Sequence, residues 1–507
     1  MRLCGSVGRP QAERKLDGFW IGNESPRHGA LRTDAPELVI TATRPPLDLA
    51  ALLKQHAGRN YELHAAHVNP ANVKTLRTIG FDRCYVRAEG PYLWDVEGTK
   101  YLDLLSGYGV FSLGRNHPDV RKVLGDFLNA EYPSLVKMEA PLLSGLLAEE
   151  LKKRMPNQLD MVFFTNSGTE GVETAIKYAK CATGKPVIIH CQKAFHGLTY
   201  GALSLNGDDS FREGFGPFMP DCVKIPFNDL AALEAELRKG NVAGFVVEPV
   251  QGKGVNLPAP GYLRDAAALC RKHGALFIDD EVQAGMGRTG KFLAIEHDGD
   301  VDPDIVVLSK ALSGGFVPVG AVLCKKWIHE KVFSSMSRSV VHSATFSQGN
   351  FAMAAGLAAL DVIDRYCLIK NAEVMGNRIG EAVKAMIPKY EFLKEVRWRG
   401  LMMGIEFGSP KSLTLKAAWT MIHGMDKSLF PQVAIMPLLD KHHIITQVAG
   451  HQVDVVKLLP PLVITEEDAQ WFLKSFEDVL AQMHKFPGPA WDVLSDIGRM
   501  VVTNRAR

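Results

Sequence analysis

The sequence predicts an α/β fold, in which a large domain holds a mainly parallel sheet sandwiched by helices and a smaller α+β domain accompanies it. Between residues 140 and 370, apolar runs typical of buried strands alternate with stretches of helical periodicity. Examples of these runs are Met161–Phe164, Pro186–Ile189 and Gly244–Val247. Since 507 residues exceed what one compact core holds, two or three domains are expected.

Composition and periodicity divide the chain into five segments. Residues 1–60 mix Arg, Pro and Gly with short apolar patches, which favours an N-terminal extension with partial disorder. The stretch Gly90–Asp103 is typical of a β-hairpin with Glu97 and Gly98 at its turn. The remaining segments are 61–139 as the N-terminal part of the small domain, 140–370 as the large α/β domain, 371–485 as the C-terminal small α+β domain, and 486–507 as a tail.

Charge, hydropathy and cysteine usage agree with a soluble protein of the cytoplasm. A net charge of +2 gives no reason to expect nucleic acid as a partner. No apolar run reaches the roughly 18 residues of a transmembrane segment, and the first residues lack the apolar stretch of a secretion signal. The eight cysteines are scattered without a CxxC pair, which predicts free thiols in a reducing compartment.

Two predicted strands end in groups of opposite charge. Lys310 ends the apolar run that begins at Pro303, and Asp279, Asp280 and Glu281 end the run that begins at Ala275. Pyridoxal phosphate chemistry needs such groups, because a lysine forms the Schiff base and an acid keeps the pyridine nitrogen protonated. Most lysines after a strand are solvated surface residues, which is the alternative. An apolar strand before Lys310 and a loop of small residues after it give no structural reason for a lysine at this position. The pattern therefore favours a catalytic lysine.

The residues after the Met161 run predict the start of a helix. Ser167 at the N-cap and Glu170 three residues later fit a capping box. Glycine at 168 permits close backbone approach, and free N–H groups at a helix start attract an anion. A phosphate site and an ordinary capped helix both fit this pattern.

Two further motifs are weak. The residues Gly285–Gly290 read G-x-G-x-x-G after a strand, which suggests a dinucleotide site, but no amphipathic helix follows in the sequence. His64 and His67 form an HxxH pair without further ligands nearby, so no metal site is predicted.

Six ordered blocks make the chain resemble the class III, or ω-amino-acid, aminotransferases of fold type I, over roughly residues 70 to 485. The blocks are Asn-Ser-Gly-Thr-Glu at 166–170, Phe-His-Gly at 195–197, Val-Glu-Pro-Val-Gln-Gly at 247–252, Asp-Glu-Val-Gln-Ala-Gly-Met-Gly-Arg-Thr-Gly at 280–290, Lys-Ala-Leu-Ser-Gly-Gly at 310–315 and His-Ser-Ala-Thr-Phe at 342–346. The resemblance implies pyridoxal 5'-phosphate as cofactor and a homodimer.

The resemblance also implies a role for each site residue. Lys310 carries the cofactor, and the family's Asp-Glu-x-Gln pattern selects Asp280 over Asp279 as the partner of the pyridine nitrogen. Thr345 supplies a second phosphate contact from the partner subunit. The other cofactor-binding residues are Ser167, Gly168 and Thr169 at the phosphate, Phe195 stacked on the ring, His196 and Val282 beside it, and Gln283 at the phenolic oxygen.

Two segments depart from the family pattern. Lys457 stands where relatives carry an arginine that binds the substrate carboxylate, and lysine lacks the planar fork of arginine. Glu248 matches the residue that pairs with this cation, so both are predicted to bind substrate, with a purely structural Glu248–Lys457 pair as the alternative. After Thr345 the residues Phe346–Phe351 replace the usual Phe-Gly-Gly-Asn-Pro, which predicts a reshaped cofactor edge or substrate channel.

These features predict a ping-pong aminotransferase that takes an amino group from an amine or ω-amino acid and passes it to an oxo acid. An aminomutase, epimerase or decarboxylase of the same fold would use the same cofactor residues and remains open. The two departures argue against acetylornithine and ornithine as substrates and leave polyamines, ω-amino acids and long apolar amines or aldehydes as candidates. A cofactor-binding transcription regulator is a distant alternative, because residues 1–60 show no paired DNA-reading helices.

Overall fold

A computed structural model describes residues 45–156, 158–425 and 429–485, together with residues 488 and 491. The chain divides into two units, residues 1–56 and residues 57–507. The described part of the first unit contains helix α1, Leu49–Gln55, whose N-terminus is capped by the Asp48 carboxylate. The boundaries predicted for the five segments are not tested by this division and stay predictions.

The strands belong to the second unit and form three sheets. They are β1 Tyr85–Glu89, β2 Tyr92–Asp95, β3 Lys100–Asp103, β4 Met161–Thr165, β5 Val187–Cys191, β6 Cys222–Ile225, β7 Val242–Val247, β8 Leu276–Asp280, β9 Ile305–Leu308, β10 Gly320–Cys324, β11 Leu393–Arg399, β12 Met402–Phe407, β13 Ile444–Ile445, β14 Gln447–Val448 and β15 Val455–Leu458.

Helices alternate with these strands. They are α2 Asn60–His67, α3 Pro70–Thr78, α4 Ser106–Gly109, α5 Pro118–Asn129, α6 Leu142–Lys152, α7 Gly168–Thr183, α8 Tyr200–Ser204, α9 Leu230–Leu237, α10 Tyr262–Lys272, α11 Lys326–Val332, α12 Asn350–Arg365, α13 Leu368–Met386, α14 Leu413–Met425, α15 Gln432–Asp440 and α16 Glu466–Met483. None of the helices in the described ranges is long and apolar enough to cross a membrane.

The central sheet confirms the predicted mainly parallel arrangement. Its order within the described residues is β4-β10-β9-β8-β7-β5-β6. The strands from β9 to β6 pair in parallel, and β10 is antiparallel to both of its neighbours. Because β8 and β9 are parallel neighbours, Asp280 lies opposite Val307, three residues before Lys310. The two strand ends singled out in the sequence therefore meet at one edge of the sheet.

Side chains of the central strands alternate between two apolar clusters. In β9, Val306 and Leu308 pack in one cluster, whereas Ile305 and Val307 pack in the other. This alternation is expected for strands covered on both faces, and it explains why these runs are continuously apolar. The helix α7 belongs to the second cluster through residues such as Val172 and Ile176.

The first of the two smaller sheets has the order β1-β2-β3-β13 in the described ranges and joins residues from both ends of the second unit. Strands β2 and β3 form the predicted hairpin, with Glu97 and Gly98 between them. Strand β13 pairs in parallel with β3, so that Ile444 lies opposite Leu102. The other small sheet has the order β11-β12-β15-β14 in the described ranges and contains Lys457.

The G-x-G-x-x-G stretch forms a buried turn that holds an arginine. Only a short 3-10 turn, Ala294–Asp298, follows it. The guanidinium of Arg288 is buried and donates to the carbonyls of Leu401 and Pro460 and to the Ser112 hydroxyl. Burial lowers the pKa of Arg288 to about 9. The stretch therefore anchors distant segments to one another, which gives its arginine a structural role.

Replacement of this arginine is expected to destabilise the protein. Arg288→Met leaves three buried acceptors without their donor, so the free energy of unfolding should fall by roughly 2–4 kcal/mol. Arg288→Lys should recover little of it, because lysine lacks the fork that reaches several acceptors at once. Urea denaturation measures both changes. A loss within about 0.5 kcal/mol, as at ordinary surface positions, would contradict the anchoring role.

Candidate active site

A cavity of about 590 Å³ lies at the C-terminal ends of the central parallel strands. Such edges are where open α/β sheets bind ligands. The cavity brings together most of the residues predicted for the site: Gly168, Thr169, Phe195, His196, Glu248, Asp280, Val282, Gln283, Lys310 and Lys457. Ser167 and Thr345 do not line it.

Lys310 follows β9 and faces the cavity from a left-handed backbone position, with φ of 39°. Burial lowers the pKa of its amine below the usual range, and the opposing charges of Asp280 and Glu248 offset part of this effect. A lysine with a depressed pKa is a better nucleophile and proton carrier near neutral pH.

Asp280 is the last residue of β8, and two hydrogen bonds hold its carboxylate. Its carboxylate accepts a hydrogen bond from His196 Nδ1 at 2.7 Å and from the Val282 N–H at 3.1 Å. Burial lowers the pKa of His196, but the hydrogen bond to Asp280 and its charge outweigh burial, so this pKa lies above the usual range. The histidine therefore fixes the orientation of the Asp280 carboxylate within the cavity.

Asp279 points away from the cavity, as strand alternation predicts. Neither of its carboxylate oxygens has a hydrogen-bond partner among the described residues. Burial and the charges of Glu281 and Asp280 raise the pKa of Asp279 well above its usual range, and burial also raises that of Glu281. This pair belongs to the interior behind the site, so Asp280 is the acid that faces the cavity.

The start of α7 presents donors to the cavity. The Ser167 hydroxyl accepts from the Glu170 N–H at 3.3 Å, which confirms the N-cap. The second half of the predicted capping box is wrong, because the Glu170 carboxylate accepts from the Asn166 backbone and amide instead of from Ser167. A Cβ at Gly168 would lie 2.7 Å from Val282 Cγ1, so only glycine allows this approach.

The expected Glu248–Lys457 ion pair is wrong in its geometry. Lys457 Nζ donates to the Gly252 carbonyl at 2.7 Å and to Gln283 Oε1 at 2.6 Å. The Glu248 carboxylate accepts from the backbone N–H groups of Phe195 and Gly252. Each side chain has satisfied its hydrogen bonds with neutral groups, although the charge of Glu248 still raises the pKa of Lys457. Burial is the larger effect and lowers that pKa to about 7.

The segment after Thr345 lies away from this cavity. Thr345 itself is exposed, so the cavity of its own chain does not use it. Phe351 packs on Phe127 with ring centroids 5.5 Å apart, and Gln348 is exposed. The replacement at 346–351 therefore does not reshape the cavity within a single chain.

Several cavity residues have no signal in the sequence. Tyr108 reaches the cavity from a left-handed position, with φ of 60°, that no motif indicates. Lys253 and Asp208 also line the cavity and form an ion pair across two loops. Phe211 and Val448 add apolar surface. These residues come from segments far apart in the chain, so local patterns could not reveal that they share a cavity.

The residues present fit pyridoxal phosphate. An amine, a buried carboxylate and a helix start that accepts an anion lie in one cavity, as Lys310, Asp280 and Gly168 show. The buried Nε2 of His196 has no hydrogen-bond partner among the described residues. No second acid among these residues competes with Asp280 for the imidazole ring. The cavity therefore offers an amine for the carbonyl of the cofactor, a carboxylate for its pyridine nitrogen and a helix start for its phosphate.

Comparisons with known proteins place the chain in a family. The profile described as Aminotransferase class-III matches residues 77–480. Acetylornithine aminotransferase of Bacillus anthracis is 36% identical over 76% of this chain and 92% of its own length. Aminotransferase PigE of Serratia sp. is 33% identical over 90% of this chain, but the chain spans only 58% of that protein. The ornithine aminotransferase structure from Toxoplasma gondii is 28% identical, with a TM-score of 0.73 over 87% of this chain and 100% of that one.

The chain belongs to the class III aminotransferases. The family, the fold class, pyridoxal 5'-phosphate as cofactor and transamination as the reaction class are thereby confirmed as predicted. The roles of single residues are not tested by these matches and stay predictions.

Substitution of Asp280 tests the assignment of the acid. Asp280→Asn should preserve the fold and lower the transamination rate by roughly a hundredfold or more, because a neutral amide does not keep the ring nitrogen protonated. Asp279→Asn is the matched control and should change the rate by less than about threefold, since its side chain lies outside the cavity. Steady-state kinetics of the two variants decide, and the reverse ranking would show that the strand register is assigned one residue out.

Proposed function

We propose that this chain takes an amino group from an amine or ω-amino acid and passes it to an oxo acid, in two half-reactions at one cavity. The observation that carries the proposal is the meeting of Lys310 and Asp280 at neighbouring strand ends inside that cavity. Since one amine and one acid serve both half-reactions, donor and acceptor bind in turn, which is a ping-pong scheme.

Lys310 performs the proton transfers. When bound, pyridoxal phosphate supplies a carbonyl that condenses with amines and a ring that stabilises negative charge on the reacting carbon. Lys310 is the residue that would hold the cofactor covalently through its Nζ. Once an amine substrate had released it, the same nitrogen would act as the base and then as the acid of the proton transfer. Its depressed pKa supports this double use as base and acid.

Asp280 keeps a proton on the pyridine nitrogen. The hydrogen bonds from His196 and the Val282 N–H fix the direction of this carboxylate. Phe195 and Val282 line the same cavity as Lys310 and would contact the cofactor ring, Phe195 by stacking on it. These contacts would orient the cofactor towards Lys310.

The phosphate is held at the start of α7 by Ser167, Gly168 and Thr169, and across a homodimer by Thr345. The exposure of Thr345 supports a contact that the other subunit provides. Large apolar side chains on the same segment are also exposed, with Met336 at 94% and Phe346 at 68%. Exposed apolar patches of this kind mark protein interfaces.

Glu248 and Lys457 form the substrate end of the cavity. Lysine has three donors, and two of those on Lys457 are used by Gly252 and Gln283. The third is left for a substrate carboxylate, as a single contact in place of the paired contacts that arginine makes. We therefore expect this site to discriminate less strongly between substrates with and without a carboxylate than a site with an arginine does.

We place the protein in the cytoplasm. The cysteines within the described residues are free thiols: Cys84, Cys181, Cys191, Cys222, Cys270, Cys324 and Cys367. Free thiols support a reducing compartment.

A half-reaction assay tests the proposed function. Addition of an amine donor to the wild type should remove the visible absorbance of the bound cofactor, and an oxo acid should restore it. Lys310→Ala should show no such cycle and no cofactor fixed to the chain by borohydride, because the amines of Lys457 and Lys253 in the same cavity are held by other partners. A variant that turns over at a rate near that of the wild type would overturn the assignment.

Mixed dimers test the contribution of Thr345. Lys310→Ala dimers and Thr345→Glu dimers should both be inactive, the second because a carboxylate repels the phosphate. Dimers that combine the two chains contain one site with an intact Lys310 and an intact Thr345, so mixing under subunit exchange should recover activity. No recovery in verified mixed dimers would show that each chain completes its own site.

A further inference from the structure

The side-chain nitrogen of Lys457 connects three segments that line the cavity: its own strand β15, the loop after β7 and the loop after β8. It stands in the middle of β15, opposite Gly404 of β12 and Gln447 of β14. Its Nζ reaches the Gly252 carbonyl on the loop after β7 and Gln283 Oε1 on the loop after β8. The side chain is 4% exposed, so these two contacts are shielded from water.

The contact with Lys457 decides which end of the Gln283 amide faces the cavity. The protonated amine of Lys457 carries only donors, so the oxygen of the amide turns towards it. The amide nitrogen then points the other way and donates to the Tyr108 carbonyl at 3.1 Å. One N–H of that nitrogen remains, and Gln283 lines the cavity. The cavity therefore meets a donor at this position and not an acceptor.

Gly252 shows how tightly this arrangement is packed. A Cβ at this position would lie 2.8 Å from Gln283 Oε1 and 3.2 Å from Glu248 Oε2. The Gly252 N–H donates to the Glu248 carboxylate, and its carbonyl accepts from Lys457. Gly252 thus sets the distances between Glu248, the Gln283 amide and Lys457. A methyl group at this position would push the amide away from Lys457.

We propose that Lys457 is a positioning residue that acts through Gln283, fixing the amide so that its N–H is presented to the phenolic oxygen of pyridoxal phosphate. This inference rests on the proposed function. It assigns Lys457 a part in both half-reactions, because the cofactor's phenolic oxygen is present whichever substrate is bound. A contact to a substrate carboxylate is separate, since it uses the third donor and matters only for acid substrates.

A double-mutant cycle separates this role from a contact with substrate. The variants are Lys457→Met, Gln283→Ala and their combination, and the donor is butylamine, which has no carboxylate. Each single change should lower kcat/KM for the butylamine half-reaction by roughly tenfold or more, as expected for a lost hydrogen bond to a charged group. The double variant should lose no more than about threefold beyond Gln283→Ala alone, because the two residues act as one unit.

A second readout does not depend on turnover. The dissociation constant of pyridoxal phosphate, measured by titration of the apoenzyme, should rise for Lys457→Met and for Gln283→Ala, again without additivity. Gly252→Ala should produce the same weakening while both side chains are retained, which keeps the test informative if Lys457→Met fails to fold. The pH at which the visible absorbance of the bound cofactor changes should also rise in Lys457→Met, because a lost donor leaves the phenolic oxygen more basic.

Lys253→Met supplies the control. Lys253 also lines the cavity, but its ammonium pairs with Asp208 and not with Gln283. Its effect should therefore add independently to that of Gln283→Ala. Additive losses for Lys457→Met with Gln283→Ala, or a defect confined to acid substrates, would overturn the positioning role. If the wild type shows no absorbance change with any amine, the proposed function itself fails.

Discussion

The parallel pairing of β8 with β9 is the constraint on which the site depends. It sets Asp280 opposite Val307 and leaves Lys310 to follow at the same edge, so an acid and an amine share one cavity. A shift of one residue would direct Asp279 into the cavity and turn Asp280 towards the interior behind it. Alternate side chains of β9 pack into separate apolar clusters, so such a shift would also misplace the core on both faces of the sheet. Core packing and chemistry thus select the same register.

The charges in the cavity are balanced by neutral groups as well as by ion pairs. Asp280 is held by His196, whereas Glu248 accepts from two backbone N–H groups and Lys457 donates to a carbonyl and an amide. A buried charge that is satisfied by dipoles has no counter-ion to lose when a substrate arrives. A substrate carboxylate that reaches Lys457 therefore does not have to compete with Glu248 for a direct contact.

The sequence predicted the elements whose signal is local. Continuous apolar runs gave the central strands, Glu97 and Gly98 gave the hairpin turn, and Ser167 gave the start of α7, because each depends on neighbouring residues. The partners of Lys457 could not be predicted, since they come from loops that follow β7 and β8 in the chain. The same holds for Glu170, whose carboxylate had several nearby N–H groups to choose from. The family pattern suggested an ion pair, but a shorter cation in place of arginine found other acceptors.

The pairing of β13 with β3 has a consequence for the order in which the protein is made. Leu102 and Ile444 are neighbours in one sheet, although nearly the whole cofactor-binding region lies between them in the chain. At ordinary rates of synthesis, on the order of tens of seconds separate the emergence of these two strands from the ribosome. During that interval the edge of β3 has no strand beside it, and exposed edges promote association with other chains. The first small sheet is therefore incomplete until β13 has been synthesised, and its β3 edge needs protection during that interval.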